Sequence, residues 1–238
     1  MTGITTDPLR EAVTDGAALL AAVGDDVVEQ ARVSLRWARD TFRDGLVVAS
    51  SMGDEVLVHL ASVSASGVDV LFLDTGYHFA ETIGTRDAVA ATYDVNVRTL
   101  LPLLTIKQQA DAHGADLFAS NPDLCCAIRK VEPLERGLAD YDAWVTGMRR
   151  EDAPTRADID VIGWDAKRDM VKLNPLAGWT QTDVERYASE HGVLMNPLRQ
   201  LGYASIGCEP CTRAVAPGED PRAGRWSGND KTECGLHE

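Results

Sequence analysis

The sequence predicts an α/β fold built on a mostly parallel sheet. Apolar runs of strand length, at 46–51, 68–74, 95–101, 143–147 and 170–173, alternate with longer stretches whose apolar residues recur at helical spacing. That alternation is the mark of βαβ units. The run at 46–51 is short and apolar and that at 68–74 is of the buried type, as expected of strands covered on both faces.

In chain order, 25–42 reads as a helix with Val27, Val28, Ala31, Leu35 and Ala38 on one face. The strand at 46–51 follows, then a helix over 55–64 and the second strand at 68–74. A helix over 77–93, a strand over 95–101 and a helix over 105–113 continue the alternation. Beyond the strands at 143–147 and 170–173, Thr180 is placed to cap a helix, with Asp183 in the capping-box position and Gly192 at its end. Periodicity fades from Asn196, and 217–238 carries Gly, Pro and charge, which reads as a mobile tail. No internal repeat or low-complexity tract interrupts the chain.

At 238 residues, 45% hydrophobic and 25% charged, the chain is long enough to bury a full core. No run of some 18 apolar residues is present, so no membrane span is expected. Met1 to Arg10 lacks a basic and apolar export signal, which predicts a cytoplasmic, reducing setting. The formal charge of −14 argues against nonspecific binding to nucleic acid or membrane. An anionic substrate must therefore be met by a local basic cluster. A homo-oligomer is compatible with these numbers.

The five cysteines divide into an adjacent pair, Cys125-Cys126, a C-x-x-C at Cys208 and Cys211, and a lone Cys234. Four thiolates match the ligand count of a [4Fe-4S] cluster or a structural zinc. The C-x-x-C lies among Gly207, Glu209, Pro210 and Thr212, which make a turn. Cys234 has no evident partner and is left free to react.

Two strand ends carry ligand-binding character. Ser50-Ser51-Met52-Gly53-Asp54-Glu55 joins a strand to a helix, where small residues let backbone N–H groups approach an anion. It lacks the lysine of a Walker loop, which disfavours nucleoside triphosphate hydrolysis. Leu73-Asp74-Thr75-Gly76-Tyr77-His78 ends the next strand, and the two loops would frame one crevice. The basic candidates are Arg129 and Lys130 beyond the cysteine pair, Arg149 and Arg150 after a strand, Arg156, and Arg222 and Arg225.

Ser51-Met52-Gly53-Asp54-Glu55, Leu73 to Thr82, Cys125-Cys126-x-x-Arg129-Lys130-Val131-Glu132-Pro133-Leu134, Trp144 to Arg150, Gly207 to Arg213 and Glu233-Cys234-Gly235-Leu236-His237 together resemble the assimilatory sulfonucleotide reductases. The four-cysteine set resembles the branch that carries a [4Fe-4S] cluster and reduces adenosine 5′-phosphosulfate. The resemblance implies a Rossmann-like, mostly parallel sheet of the adenine nucleotide α-hydrolase type. It divides the chain into an N-terminal helical segment (1–45), a sulfonucleotide-binding and iron–sulfur domain (46–213) and a mobile catalytic tail (214–238).

The same resemblance makes Cys234 the nucleophile and Cys125, Cys126, Cys208 and Cys211 the cluster ligands. Ser51, Gly53, Asp54, Glu55, Leu73, Thr75 and Gly147 would line the nucleotide. Lys130, Arg156, Arg222, Arg225 and His237 would gather at the phosphosulfate. The family's first loop usually reads Glu-Asp where this chain has Asp54-Glu55, so the reach of each carboxylate differs. The implied reaction passes through an S-sulfonated Cys234, which thioredoxin resolves with release of sulfite. Lys231, His237 and the tail arginines are candidates for the positive field that holds the thiolate. Alternatives are a 3′-phosphoadenosine 5′-phosphosulfate or dual-substrate reductase, a zinc-stabilised nucleotide-binding module, and a nucleotide-activating pyrophosphatase. The last typically carries a Ser-Gly-Gly-x-Asp-Ser loop, which 51–55 does not match.

Overall fold

Six strands form one sheet in the order β3-β2-β1-β4-β6-β5 in this computed structural model, which describes residues 7–53, 55–228, 231 and 233–237. The strands are β1 (Leu46–Ala49), β2 (Val68–Leu73), β3 (Val95–Leu100), β4 (Ala143–Val145), β5 (Ile162–Asp165) and β6 (Met170–Leu173). All neighbours run parallel except β5, which pairs antiparallel with β6 at the edge. The chain leaves β1 towards β2 on one side and later returns to β4 on the other. The carboxyl ends of β1 and β4 therefore flank the point where strand order reverses, the usual ligand crevice of such sheets.

The helices are α1 (Pro8–Ala21), α2 (Val27–Phe42), α3 (Glu55–Ser64), α4 (Ala80–Thr92), α5 (Ile106–His113), α6 (Leu117–Ser120), α7 (Pro122–Cys126), α8 (Glu132–Leu138) and α9 (Gln181–His191). Their ends are set by local chemistry. Asp26 Oδ1 accepts from the Val28 and Glu29 amides to start α2. Thr105 and Gln108 form a capping box on α5, and Thr180 and Asp183 form another on α9. Each such cap satisfies N–H groups that the helix leaves unpaired. The helix expected over 77–93 begins only at Ala80, because the Thr75 hydroxyl and the Asp74 carboxylate accept the Tyr77 and Gly76 amides and hold a turn there.

Both sheet faces are covered. Leu46 and Val48 point into the larger core with Leu35, Leu57, Leu60, Val70, Phe72, Trp179 and Tyr187. Val47, one residue out of phase, faces the smaller core with Leu71, Leu134, Leu138, Trp144 and Met170. Leu236, near the chain's end, packs against this second cluster. A C-terminal segment thus reaches the face that also carries α8.

Candidate functional site

The loop after β1 is pinned from behind. Met52 adopts φ 56° with its side chain fully buried, and its amide donates to Ser50 Oγ at 3.1 Å. The fully buried Asn196 donates through Nδ2 to the Met52 carbonyl at 3.2 Å, and the Arg199 guanidinium donates to the Gly53 carbonyl. Ser51 stays exposed on this held backbone. Glu55 is buried, and its Oε1 accepts the Asn196 amide at 2.7 Å. Asp54 lies outside the described residues. After β2, Leu73 is partly buried and its carbonyl lies 2.8 Å from His78 Nε2. Gly147 follows β4, where Thr146 Oγ1 donates to Asn174 Oδ1 at 2.7 Å. Sheet order therefore brings the loops carrying Ser51, Leu73, Thr75 and Gly147 to one edge.

Beside that edge lies a small cavity lined by Tyr77, Phe118, Cys125, Cys126, Arg129, Lys130, Cys208 and Cys211, with Pro122 completing its wall. Cys125 and Cys126 end α7, whose start is fixed by Asn121 Oδ1 accepting the Leu124 amide at 3.1 Å. A single π-helical turn, Ala127–Val131, then carries Arg129 and Lys130. Such turns recur at functional sites, because the wide turn re-aims side chains. Arg129 is buried, donates to the Thr75 carbonyl at 2.9 Å and lies 5.0 Å from the Tyr77 ring centre. Cys208 Sγ is 3.3 Å from Thr75 Oγ1, and Cys208–Cys211 forms a tight turn with the Cys211 amide donating to the Cys208 carbonyl.

Thiols and cationic side chains share this cavity and act on one another. Burial, then the neighbouring Cys126, Cys208 and Cys211, pushes Cys125 up to about 11. Burial likewise raises Cys126 and Cys211. Neighbouring sulfurs add to burial in raising Cys125, Cys126 and Cys211, and a metal bound by these thiols would release their protons. Lys130 is raised despite burial, because Cys208, Cys234 and Cys126 favour its ammonium form. Among the described residues, Arg129 Nε and Nη2 are buried with no hydrogen-bond acceptor, which leaves two charged N–H groups open to an anionic partner. Among the described residues, no group of three or more His, Cys, Asp or Glu side chains closes on a point fit for a single metal ion. Four cysteines lining one cavity are a donor set whose chemistry fits an iron–sulfur cluster or a zinc ion.

The tail approaches both features. Thr212 and Arg225 form an antiparallel bridge, and Gly224 returns a carbonyl to the Arg213 amide at 2.9 Å. Arg225 lies 4.5 Å over the Trp226 ring, and its Nη1 donates to Ser205 Oγ at 3.2 Å. A Cβ on Gly207 would collide with that guanidinium, so a larger residue there would make Arg225 shift. Cys234, partly buried, is within electrostatic reach of Lys130, Arg225 and Cys126. The carboxylate of Glu233 is clasped by Arg156 and Arg222. Gly235 takes φ 78°, turning the chain so that Leu236 enters the smaller core. His237 stacks on Trp144 with ring centres 5.6 Å apart.

The expected residues thus gather in two neighbouring poles. Lys130, Arg225 and Cys234 stand by the four-cysteine cavity, while Arg156, Arg222 and His237 stand around Glu233. Burial, followed by Lys172, Arg156, Arg168 and Arg222, drives His237 well below its ordinary value. It therefore supplies a neutral ring rather than the positive charge expected from the sequence. Lys231 pairs with Asp123 and lies 5.6 Å from the Trp226 ring centre. Arg149 and Arg150 do not converge on the site: Arg149 pairs with Glu151 and Asp152, and Arg150 Nε donates to the Ile159 carbonyl. Sequence reasoning missed Asn196, Arg199, Lys172, Arg168 and Glu233. Only the Asn196-Pro197 turn and the conspicuous placing of Glu233 before Cys234 offered a signal.

Comparison with known proteins finds named relatives over nearly the whole chain. The chain is 62% identical over 203 residues to the adenosine 5′-phosphosulfate reductase of Streptomyces coelicolor, spanning 85% of this chain and 86% of that one. It is 52% identical over 240 residues to the enzyme of the same name from Mycolicibacterium smegmatis, spanning 100% and 99%. Among solved structures, the phosphoadenylyl-sulfate reductase of Candida auris in complex with phosphate aligns with TM-score 0.69 at 29% identity, over 90% of this chain and 100% of that one. An NH3-dependent NAD synthetase from Campylobacter jejuni shares the fold alone, with TM-score 0.52 at 11% identity over 74% of this chain and 77% of that one. Residues 45–214 match the phosphoadenosine phosphosulfate reductase domain, and the chain belongs to that family.

Proposed function

We propose that this protein reduces adenosine 5′-phosphosulfate to sulfite and adenosine monophosphate in sulfate assimilation. The observation that carries the reading is a division of labour among thiols: four cysteines share one cavity, and a fifth is delivered beside Lys130 by a separate segment. High identity to proteins named adenosine 5′-phosphosulfate reductase supports the choice of nucleotide.

The nucleotide lies along the carboxyl edge, with Ser51, Gly53, Leu73, Thr75 and Gly147 around it and Glu55 behind the first loop; Asp54, assigned to the same nucleotide, lies outside the described residues. The phosphosulfate meets Arg156, Arg222, Arg225 and Lys130, whose charges offset those of the substrate and the approaching thiolate. The Cys234 thiolate attacks the sulfur, the bond from sulfur to the phosphate oxygen breaks, and adenosine monophosphate leaves with that electron pair. His237, held neutral, offers a hydrogen bond at the same end. A thiol of thioredoxin then attacks Cys234 Sγ and sulfite departs with the electrons of the S–S bond. The second thioredoxin thiol closes that protein's disulfide and returns Cys234 to the thiol form. Cys234 changes its exposure between these steps, since one sulfur must face the nucleotide and then a protein.

Cys125, Cys126, Cys208 and Cys211 would hold a [4Fe-4S] cluster, which contributes electrostatics at the site through Lys130 and Arg129. The test is parallel turnover with adenosine 5′-phosphosulfate and its 3′-phosphorylated analogue, using thioredoxin as reductant. Sulfite release strongly favouring the former is expected. Preference for the 3′-phosphorylated nucleotide would move the protein to the other branch.

A further inference from the structure

Glu233 immediately precedes the cysteine assigned as nucleophile, and both of its carboxylate oxygens are held by guanidinium groups. Arg156 Nε and Nη2 donate to Oε1 at 3.1 and 2.9 Å, and Nη2 also reaches Oε2 at 2.9 Å. Arg222 Nη2 reaches Oε2 at 3.2 Å. On its other side, Arg156 Nη1 donates to Asp152 Oδ2 at 3.3 Å. Arg156 is 9% exposed, so this is a largely desolvated contact and not a surface ion pair. These are also two of the arginines assigned above to the phosphosulfate. A carboxylate and a sulfate or phosphate present the same thing to a guanidinium fork, namely a pair of anionic oxygens.

We propose that Glu233 is a displaceable counter-ion: its carboxylate and the substrate's phosphosulfate are alternative occupants of the Arg156–Arg222 pair. The inference rests on the sulfonucleotide reading and deepens it. Exchange of one anion for the other keeps both guanidinium groups paired, avoiding the cost of an uncompensated buried charge. The released carboxylate has a short way to water, since its side chain is already 19% exposed. Gly235, at φ 78°, follows the cysteine and supplies a backbone pivot, while Leu236 keeps the segment anchored in the smaller core. Arrival of the anion thus frees the residue next to Cys234 and adjusts the nucleophile when its target is present. A nucleoside without that anion cannot make the exchange, so the device also discriminates among ligands. Its cost is affinity, because the substrate competes with an internal group.

The experiment measures dissociation constants for adenosine 5′-phosphosulfate and for adenosine by calorimetry, with Cys234→Ser in every variant to prevent turnover. Removing the competitor by Glu233→Gln is expected to tighten the sulfonucleotide by about tenfold, roughly 1.4 kcal/mol, and to leave adenosine unchanged. Glu233→Asp, a shorter carboxylate, is expected to fall between the two, and thermal melting of each variant accompanies the titrations. Unchanged or weaker sulfonucleotide binding in a folded Glu233→Gln variant overturns the inference alone. Equal tightening of adenosine also overturns it, by showing a general loosening of the segment. A Glu233-bearing protein that binds no sulfonucleotide refutes the parent reading and this inference with it.

Discussion

The Thr75 hydroxyl lies 3.3 Å from the Cys208 sulfur, although 133 positions separate the two residues in the chain. Thr75 follows β2 at the sheet's carboxyl edge, and its carbonyl accepts from Arg129 just beyond the cysteine pair. One residue therefore links the nucleotide edge to both halves of the cysteine cavity. A disturbance at the cavity has a direct route to the substrate loop, and this shapes the expectations below.

Cys234→Ser is expected to lower turnover by on the order of a thousandfold or more, because a serine hydroxyl is scarcely ionised at neutral pH. Iron content and melting should stay close to wild type. Loss of iron in that variant would place Cys234 among the ligands instead.

Cys126→Ser and Cys211→Ser should each lose the bound metal and lower the melting temperature by roughly 5–10 °C, equivalent to about 2–3 kcal/mol. The Thr75 link predicts that nucleotide affinity falls with them. Full iron occupancy with normal melting in both variants would remove these residues from the ligand set.

Much of the frame behind these expectations was legible in the sequence. Strands β1, β2 and β4 announce themselves because buried parallel strands favour apolar runs, and Thr180 with Asp183 spells out a capping box. Strand β3 is read from its alternation with helices, since its Val95 to Leu100 is polar at every other position and largely exposed. Strand β5 was not legible. Its Ile162-Gly163-Trp164-Asp165 is short and glycine-bearing, and it exists through antiparallel pairing with β6. Helix α1 was also missed. In the site, the cysteine groups were visible as motifs and Arg129 as a basic candidate beside them, whereas its burial and its bond to the Thr75 carbonyl depend on packing that spacing does not reveal. The Glu233 clasp was illegible because Arg156 is 77 positions away and no spacing rule connects them.

The two tail arginines should separate by their surroundings. Arg222→Ala is expected to weaken sulfonucleotide kcat/KM by about 1.5–3 kcal/mol with little change in melting, since its side chain is 21% exposed. Arg225→Ala should add a stability loss of roughly 1–3 kcal/mol, because its buried guanidinium spans Ser205, Ile206 and the Trp226 ring. Identical kinetics and melting for both variants would assign them to the surface.

Lys172 gives a pH signature. Burial lowers its ammonium to about 8; Asp165 opposes this, while Arg168 and Arg156 add to it. His237 is the remaining titratable neighbour and is held neutral. Because the folded value lies below that of the unfolded chain, folding carries a full penalty below pH 8. The penalty is relieved as pH rises from about 8 towards the ordinary lysine value of 10.5. Thermal melting across this window should show a stabilising increment that Lys172→Met removes. An unchanged profile in that variant would assign the increment elsewhere.

Leu236 shares its apolar pocket with Leu134 and Leu138 of α8 and with Trp144 of β4. Cys234 therefore takes its position partly from side chains that touch neither nucleotide nor cysteine. Replacing Leu134 with a smaller residue would open a hollow beneath the anchor as well as lower stability, and the sulfur would lose its bearing on the substrate. Residues of α8 that look like ordinary filling thereby bear on the accuracy of the chemistry. Drift there would be felt first as slower turnover in a protein that still folds.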